Sequence, residues 1–135
     1  MLEKIEHKGN VLAMIIRANH EPEGINFVTP NDYPLQLGVI KHKQGNRIKA
    51  HVHKSSPKLI NDVQEVLYIV YGEIEAVFYS EHAEKVRSII LRSGDTILLV
   101  SGGHGFNILE DCKIVEIKQG PYHGIEEDKK RLGIE

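Results

Sequence analysis

A chain of 135 residues with 41% apolar content suits one domain with a sizeable core and is small for two. Its 17 Lys and Arg stand against 19 Asp and Glu, so no field of one sign points to nucleic acid or to an anionic membrane. Cys112 is the only cysteine, which excludes an intramolecular disulfide, and the N-terminal apolar run is too short for a secretory or membrane segment; a reducing, cytoplasmic setting is the simplest reading.

Short runs of Val, Ile, Leu and Tyr recur roughly every eight to twelve residues, and long stretches of period 3.6 are missing, which is the rhythm of an all-β sandwich or barrel. Strands are predicted over 11–18, 24–29, 35–43, 47–53, 66–71, 73–80, 85–92, 95–101, 106–110 and 113–118. The stretches "KQGN", "YGE", "RSGD" and "LEDC" between them carry the Gly, Asn or Asp that tight turns need. The last of these places Cys112 at a hairpin tip between Asp111 and Lys113, whose charges cancel as activators of a thiolate. The tail "GIEEDKKRLGIE" opens with acids and closes with bases, as a helix dipole prefers, and is the one predicted helix.

Within "RIKAHVH" the period of two puts Arg47, Lys49, His51 and His53 on one face and Ile48, Ala50 and Val52 on the other. Taken alone, that pattern also describes a half-exposed strand with its basic side in water. Its surroundings add to it. Five residues separate Gly45 from His51, six separate Glu65 from Gly72, and a second segment led by Gly94 runs through His104 to Asn107.

These two segments resemble the motifs of the cupin family: Gly, five residues, His-x-His, three or four residues, Glu, six residues, Gly; then Gly, five residues, Pro-x-Gly, two residues, His, three residues, Asn. The resemblance covers about residues 38–118 of a single domain spanning 1–135. It implies a cupin-type double-stranded β-helix, a jelly-roll barrel, with a short C-terminal helix. It also implies that His51, His53, Glu65 and His104 bind a divalent transition metal, one of Fe, Mn, Ni, Co, Cu or Zn. The sequence departs from the pattern in three places. Eleven residues lie between His53 and Glu65, which reads as an inserted loop at the barrel mouth over 54–64; Val100 stands where the motif has proline; and His104 and Asn107 each arrive one residue early.

Arg47 and Lys49 share the histidine face and are candidates for recognising an anionic substrate. Tyr68, Tyr71 and Tyr122 are candidate acids, although alternation turns Tyr68 away from Glu65. His7, His20, His42, His82 and His123 match no motif position and are read as surface residues. The cupin barrel hosts isomerases, dioxygenases and binding proteins alike, so three functions stand side by side. One is a metal-binding cupin acting on or binding a small polar molecule, a carbohydrate or carboxylic acid. The second is a metal-free sugar-nucleotide epimerase or ketoisomerase, and the third a non-catalytic ligand-binding or sensor module. The apolar alternate face of 48–52, with the unbroken run from Val66 to Tyr71, predicts a homodimer.

Overall fold

Each strand that alternates apolar and polar residues has one face to keep dry, and the computed structural model, which describes residues 1–134, shows how that is done. The strands are β1 (Leu2–His7), β2 (Asn10–Ile16), β3 (Gly24–Phe27), β4 (Gly38–Lys41) and β5 (Glu65–Tyr71). They continue with β6 (Glu73–Tyr79), β7 (Lys85–Arg92), β8 (Thr96–Leu99), β9 (Gly103–Ile108) and β10 (Lys113–Lys118). All pairings are antiparallel. A five-stranded sheet has the order β1-β2-β8-β5-β10, a three-stranded sheet the order β7-β6-β9, and β3 and β4 form a separate hairpin. Among the described residues these sheets do not close into a barrel.

From β5 onward the chain crosses repeatedly between the two larger sheets, with only β6 and β7 consecutive in one sheet, and their facing sides bury one apolar layer. Ala13, Ile15, Leu67, Ile69, Ile97 and Leu99 enter it from the five-stranded sheet, while Ile74, Ala76, Phe78, Ile89 and Leu91 enter from the other. Each fully buried Ile or Leu contributes about 1.5–3 kcal/mol, so this layer is the main source of stability. The opposite face of the five-stranded sheet carries a smaller cluster, Met14, Val66 and Leu98, covered by Val28, Tyr33, Leu35 and Leu37 from the segment joining β3 to β4.

Four expectations need correction. The predicted strand over 47–53 does not form: residues 42–63 make no strand and are exposed, Val52 91% so. Its alternate face of Ile48, Ala50 and Val52 has nothing to bury against within this chain. The strand β1 was hidden in "LEKIEH", a charged edge sequence in which Ile5 alone is fully buried. The C-terminal helix is one turn, α1 (Ile125–Asp128), with no basic residue in its last turn; Glu135 lies outside the described residues. Cys112 also sits differently than expected. It links β9 of one sheet to β10 of the other and packs against the main core. Gly72, between β5 and β6, has φ +97° and no room for a Cβ, which would collide with the Asp111 carbonyl and Cys112. No described helix is long and apolar enough to cross a membrane.

One buried polar knot fastens the sheets. Asp95, 5% exposed in the turn before β8, accepts the backbone N–H of Ala18 and of Arg92, each at 2.9 Å, and Nη1 of Arg17 at 3.0 Å. Arg17 also donates to the Ile90 carbonyl at 2.7 Å and pairs with Glu3, so the ends of β1, β2, β7 and β8 are tied together. Removing the carboxylate strands two backbone donors and half the pairing of Arg17. Asp95→Ala should therefore lower unfolding free energy by about 3 kcal/mol, read as a shifted urea midpoint with unchanged slope. A loss below about 1 kcal/mol would show that the knot is incidental.

Candidate functional site: a polar mouth between the sheets

Glu65 is the first residue of β5, opposite Leu99 of β8 and Lys118 of β10. It shares a strand face with Leu67 and Ile69, both in the inter-sheet layer, so pairing of the apolar residues carries its carboxyl to the end of that layer. His104 arrives there from the other sheet. It pairs with Phe78 of β6 and shares its face with Phe106, which packs on the core; the His104 and Phe106 ring centroids are 5.7 Å apart. Nε2 of His104 lies 3.9 Å from Oε1 of Glu65; the side chains are 31% and 12% exposed. The separation is too long for a hydrogen bond.

A second acid completes the mouth. In β10, Ile114 packs on the core, and the period of two brings Glu116 and Lys118 to the same face. Glu116 shares a hydrogen bond with Glu65. Lys118 lies 3.4 Å from Asp128 of α1 and 4.8 Å from the ring centroid of Tyr122. Leu132 packs so closely on Gly103 that a Cβ there would meet its methyl at 2.6 Å. The C-terminal segment is thereby strapped beside the mouth by one ion pair and one apolar contact.

Burial, chiefly, raises the Glu65 carboxyl from its ordinary 4.5 to about 7; the hydrogen bond and charge of Glu116 add to the rise, and Lys118 and Lys129 oppose it. Sharing that hydrogen bond holds Glu116 below its ordinary value. Burial and the positive charge of Lys129 lower His104, with Glu116 opposing. Near neutral pH the mouth therefore holds a neutral imidazole and an acid pair that retains part of one proton. The contact of His104 with Glu65 is then a meeting of two potential donors to a cation or substrate hydroxyl, and not a strong ion pair.

His51 and His53 are placed elsewhere, on the exposed 42–63 segment with Arg47 and Lys49. Their rings stand edge to face, centroids 5.2 Å apart, on a segment that makes no strand. Nδ1 of His51 lies 2.7 Å from the Lys49 carbonyl, and because a carbonyl only accepts, Nδ1 is the donor in that contact. The four expected ligands thus stand as two pairs, and among the described residues no three His, Cys, Asp or Glu side chains are gathered to hold one metal ion. Sequence reasoning missed Glu116 and Lys118, although the alternation in "KIVEIK" behind Ile114 carried the signal. Tyr68 is exposed and faces away, as expected. No protein-family model matches this chain, and no curated protein or solved structure does either.

The raised Glu65 carboxyl has a stability consequence. Unfolded, it loses its proton near 4.5; folded, near 7; so the native state holds more protons across that window and its stability falls as pH rises through it. His104 acts oppositely below its ordinary 6.5, where the unfolded imidazole protonates first. Comparing Glu65→Gln with wild type isolates the carboxyl from His104. In chelator-treated protein, the stability advantage of the variant should grow between pH 4.5 and about 7 and then level off, measured by urea unfolding. An advantage equal at pH 4.5 and pH 8 would contradict the desolvated placement of Glu65.

Proposed function

We propose that the protein is a metal-binding cupin that acts on or binds a small polar molecule, a carbohydrate or a carboxylic acid. The observation that carries this reading is the meeting of Glu65 and His104 at 3.9 Å, since each comes from a different one of the two sequence motifs and from a different sheet. The donor chemistry suits a divalent transition metal: a desolvated carboxylate needs a cation to offset its burial, and a neutral imidazole offers a lone pair. Glu116 is a third candidate ligand in the mouth, in hydrogen-bond contact with Glu65.

The repeated crossing of the chain between two antiparallel sheets supports the jelly-roll architecture. In the three-stranded sheet β9 has an unpaired edge, and a strand formed there by the segment bearing His51 and His53 would bring both imidazoles toward His104. When bound, a metal supplies Lewis-acid polarisation of substrate oxygens, or dioxygen activation if it is iron. This chain's own residues then have separate tasks. Glu65 and His104 would hold the cation, with the proton Glu65 releases passing to solvent, and Arg47 and Lys49 would attract an anionic substrate from the loop. A metal-free reading, an epimerase or ketoisomerase, is favoured by the same Glu65, whose carboxyl near 7 suits proton transfer at neutral pH beside a neutral His104.

We also propose a homodimer. Tyr68 and Val115 are cross-strand partners on the outer face of the five-stranded sheet, and with Ile117 they form an exposed apolar patch where β5 meets β10. Native mass spectrometry of protein purified without chelator or nickel tests both proposals. The expected species is a dimer carrying about one divalent metal per chain, with the metal lost in His51→Ala. A metal-free protein that binds a nucleotide-diphosphate sugar would transfer the assignment to the acid–base reading. A monomer mass would remove the dimer.

A further inference from the structure

The C-terminal segment leaves β10 at Lys118 and comes back to the mouth at two anchors, one on each large sheet. Asp128 lies 3.4 Å from Lys118, which is the cross-strand partner of Glu65 in the five-stranded sheet. Leu132 packs on Gly103, the residue before His104 in the three-stranded sheet, so closely that a Cβ on the glycine would meet it at 2.6 Å. Glu65 and His104 face each other between these anchors, 3.9 Å apart. Four residue steps of extended chain reach about 13 Å, and packed sheets stand about 10 Å apart. The stretch from Asp128 to Leu132 is therefore long enough to cross from one sheet to the other and too short for a wide detour. Lys129 is extended where it leaves α1, with φ −127° and ψ 144°.

All three residues inside this crossing, Lys129, Lys130 and Arg131, are basic, and the mouth they cross holds the carboxyls of Glu65 and Glu116. The positive charge of Lys129 acts on Glu65, Glu116 and His104 alike, which agrees with a path beside all three. The fastening is light. The turn α1 has no buried residue and no side-chain cap, Lys129 to Arg131 are exposed, and the Lys118–Asp128 pair is partly open to water, where ion pairs hold weakly. Among the described residues no strand pairing includes any residue after Lys118, so lifting the crossing breaks no sheet hydrogen bond. We propose that residues 128–132 form an autoinhibitory strap: Asp128 and Leu132 fasten it across the two sheets, and Lys129, Lys130 and Arg131 guard the mouth against cations until it lifts. The strap deepens the reading of the mouth as a cation site, and rests on that reading for the ligand it excludes.

The test compares the full chain with the anchor variant Asp128→Asn, Leu132→Ser in two measurements. One is the rate at which diethylpyrocarbonate modifies His104, located by peptide mass spectrometry. His20, which follows β2 at the far end of the five-stranded sheet, is the internal reference. The other is zinc affinity by competition with a chromophoric chelator. Both should rise by about fivefold or more in the anchor variant, because both scale with the fraction of open molecules. Glu126→Gln, Glu127→Gln, which alters the same turn and neither anchor, should change each by less than about twofold. Raising salt from about 20 mM to about 0.5 M screens the Lys118–Asp128 pair and should speed His104 modification in the wild-type protein as well. A His104 rate that neither the anchor variant nor salt changes would overturn the strap, as would zinc bound equally by wild type and anchor variant. Zinc bound by neither protein, with His104 modification still faster in the anchor variant, would remove the metal reading and leave the strap as a cover of the mouth.

Discussion

One apolar layer must be buried between two sheets, and that constraint dictates where the polar side chains of the site end. Leu67 and Ile69 can enter the layer only if Glu65 faces the same way; Phe106 brings His104, and Ile114 brings Glu116. A slip of one residue in any of these strands would expose its apolar set, so the register that protects the core also fixes the three titratable groups at one mouth. The site is thus a by-product of core registry, held by the same burial that stabilises the domain.

Placing acids at the end of a dry layer has an electrostatic price that shows in their protonation. Glu65 keeps its proton to about pH 7 because water is largely excluded, and Glu116 ionises more readily because it shares that proton. His104 stays neutral for the same reason of burial. A cation in the mouth would relieve the carboxyl and use the imidazole lone pair, which is why metal binding and proton storage compete for the same residues. Lys118 of β10 and Lys129 of the C-terminal segment add balancing charges, with Lys118 fixed by Asp128 and Leu132 seated on Gly103.

Strand rhythm was readable in the sequence because the core strands β5 to β8 alternate cleanly or run fully apolar, and their turns carry Gly72 or Gly94 at positive φ. Glu65 was readable because its six-residue spacing to Gly72 survives the long 54–64 interval, and His104 because it follows the segment led by Gly94, although one residue early. What escaped is non-local. The run 47–53 has strand-like alternation, yet a strand also needs an edge and a cover, and neither can be seen in a local pattern. β1 has one buried apolar residue and looks like surface. Glu116 and Lys118 read as charges on an edge strand until the facing sheet shows that their side leads into the mouth. The Asp95 knot likewise depends on Arg17, far away in sequence.

The central claim is that Glu65 is an inward carboxyl whose burial is matched to a bound cation at a mouth shared with His104. The most direct measurement is competition for divalent metal between the protein and a chromophoric chelator, comparing wild type with the nearly isosteric Glu65→Gln. Because even outer partners of a metal centre affect affinity by about tenfold, loss of a direct ligand should weaken binding by at least that factor while the fold persists. Equal affinity in the two proteins would contradict the account and leave at most a site made by the histidines.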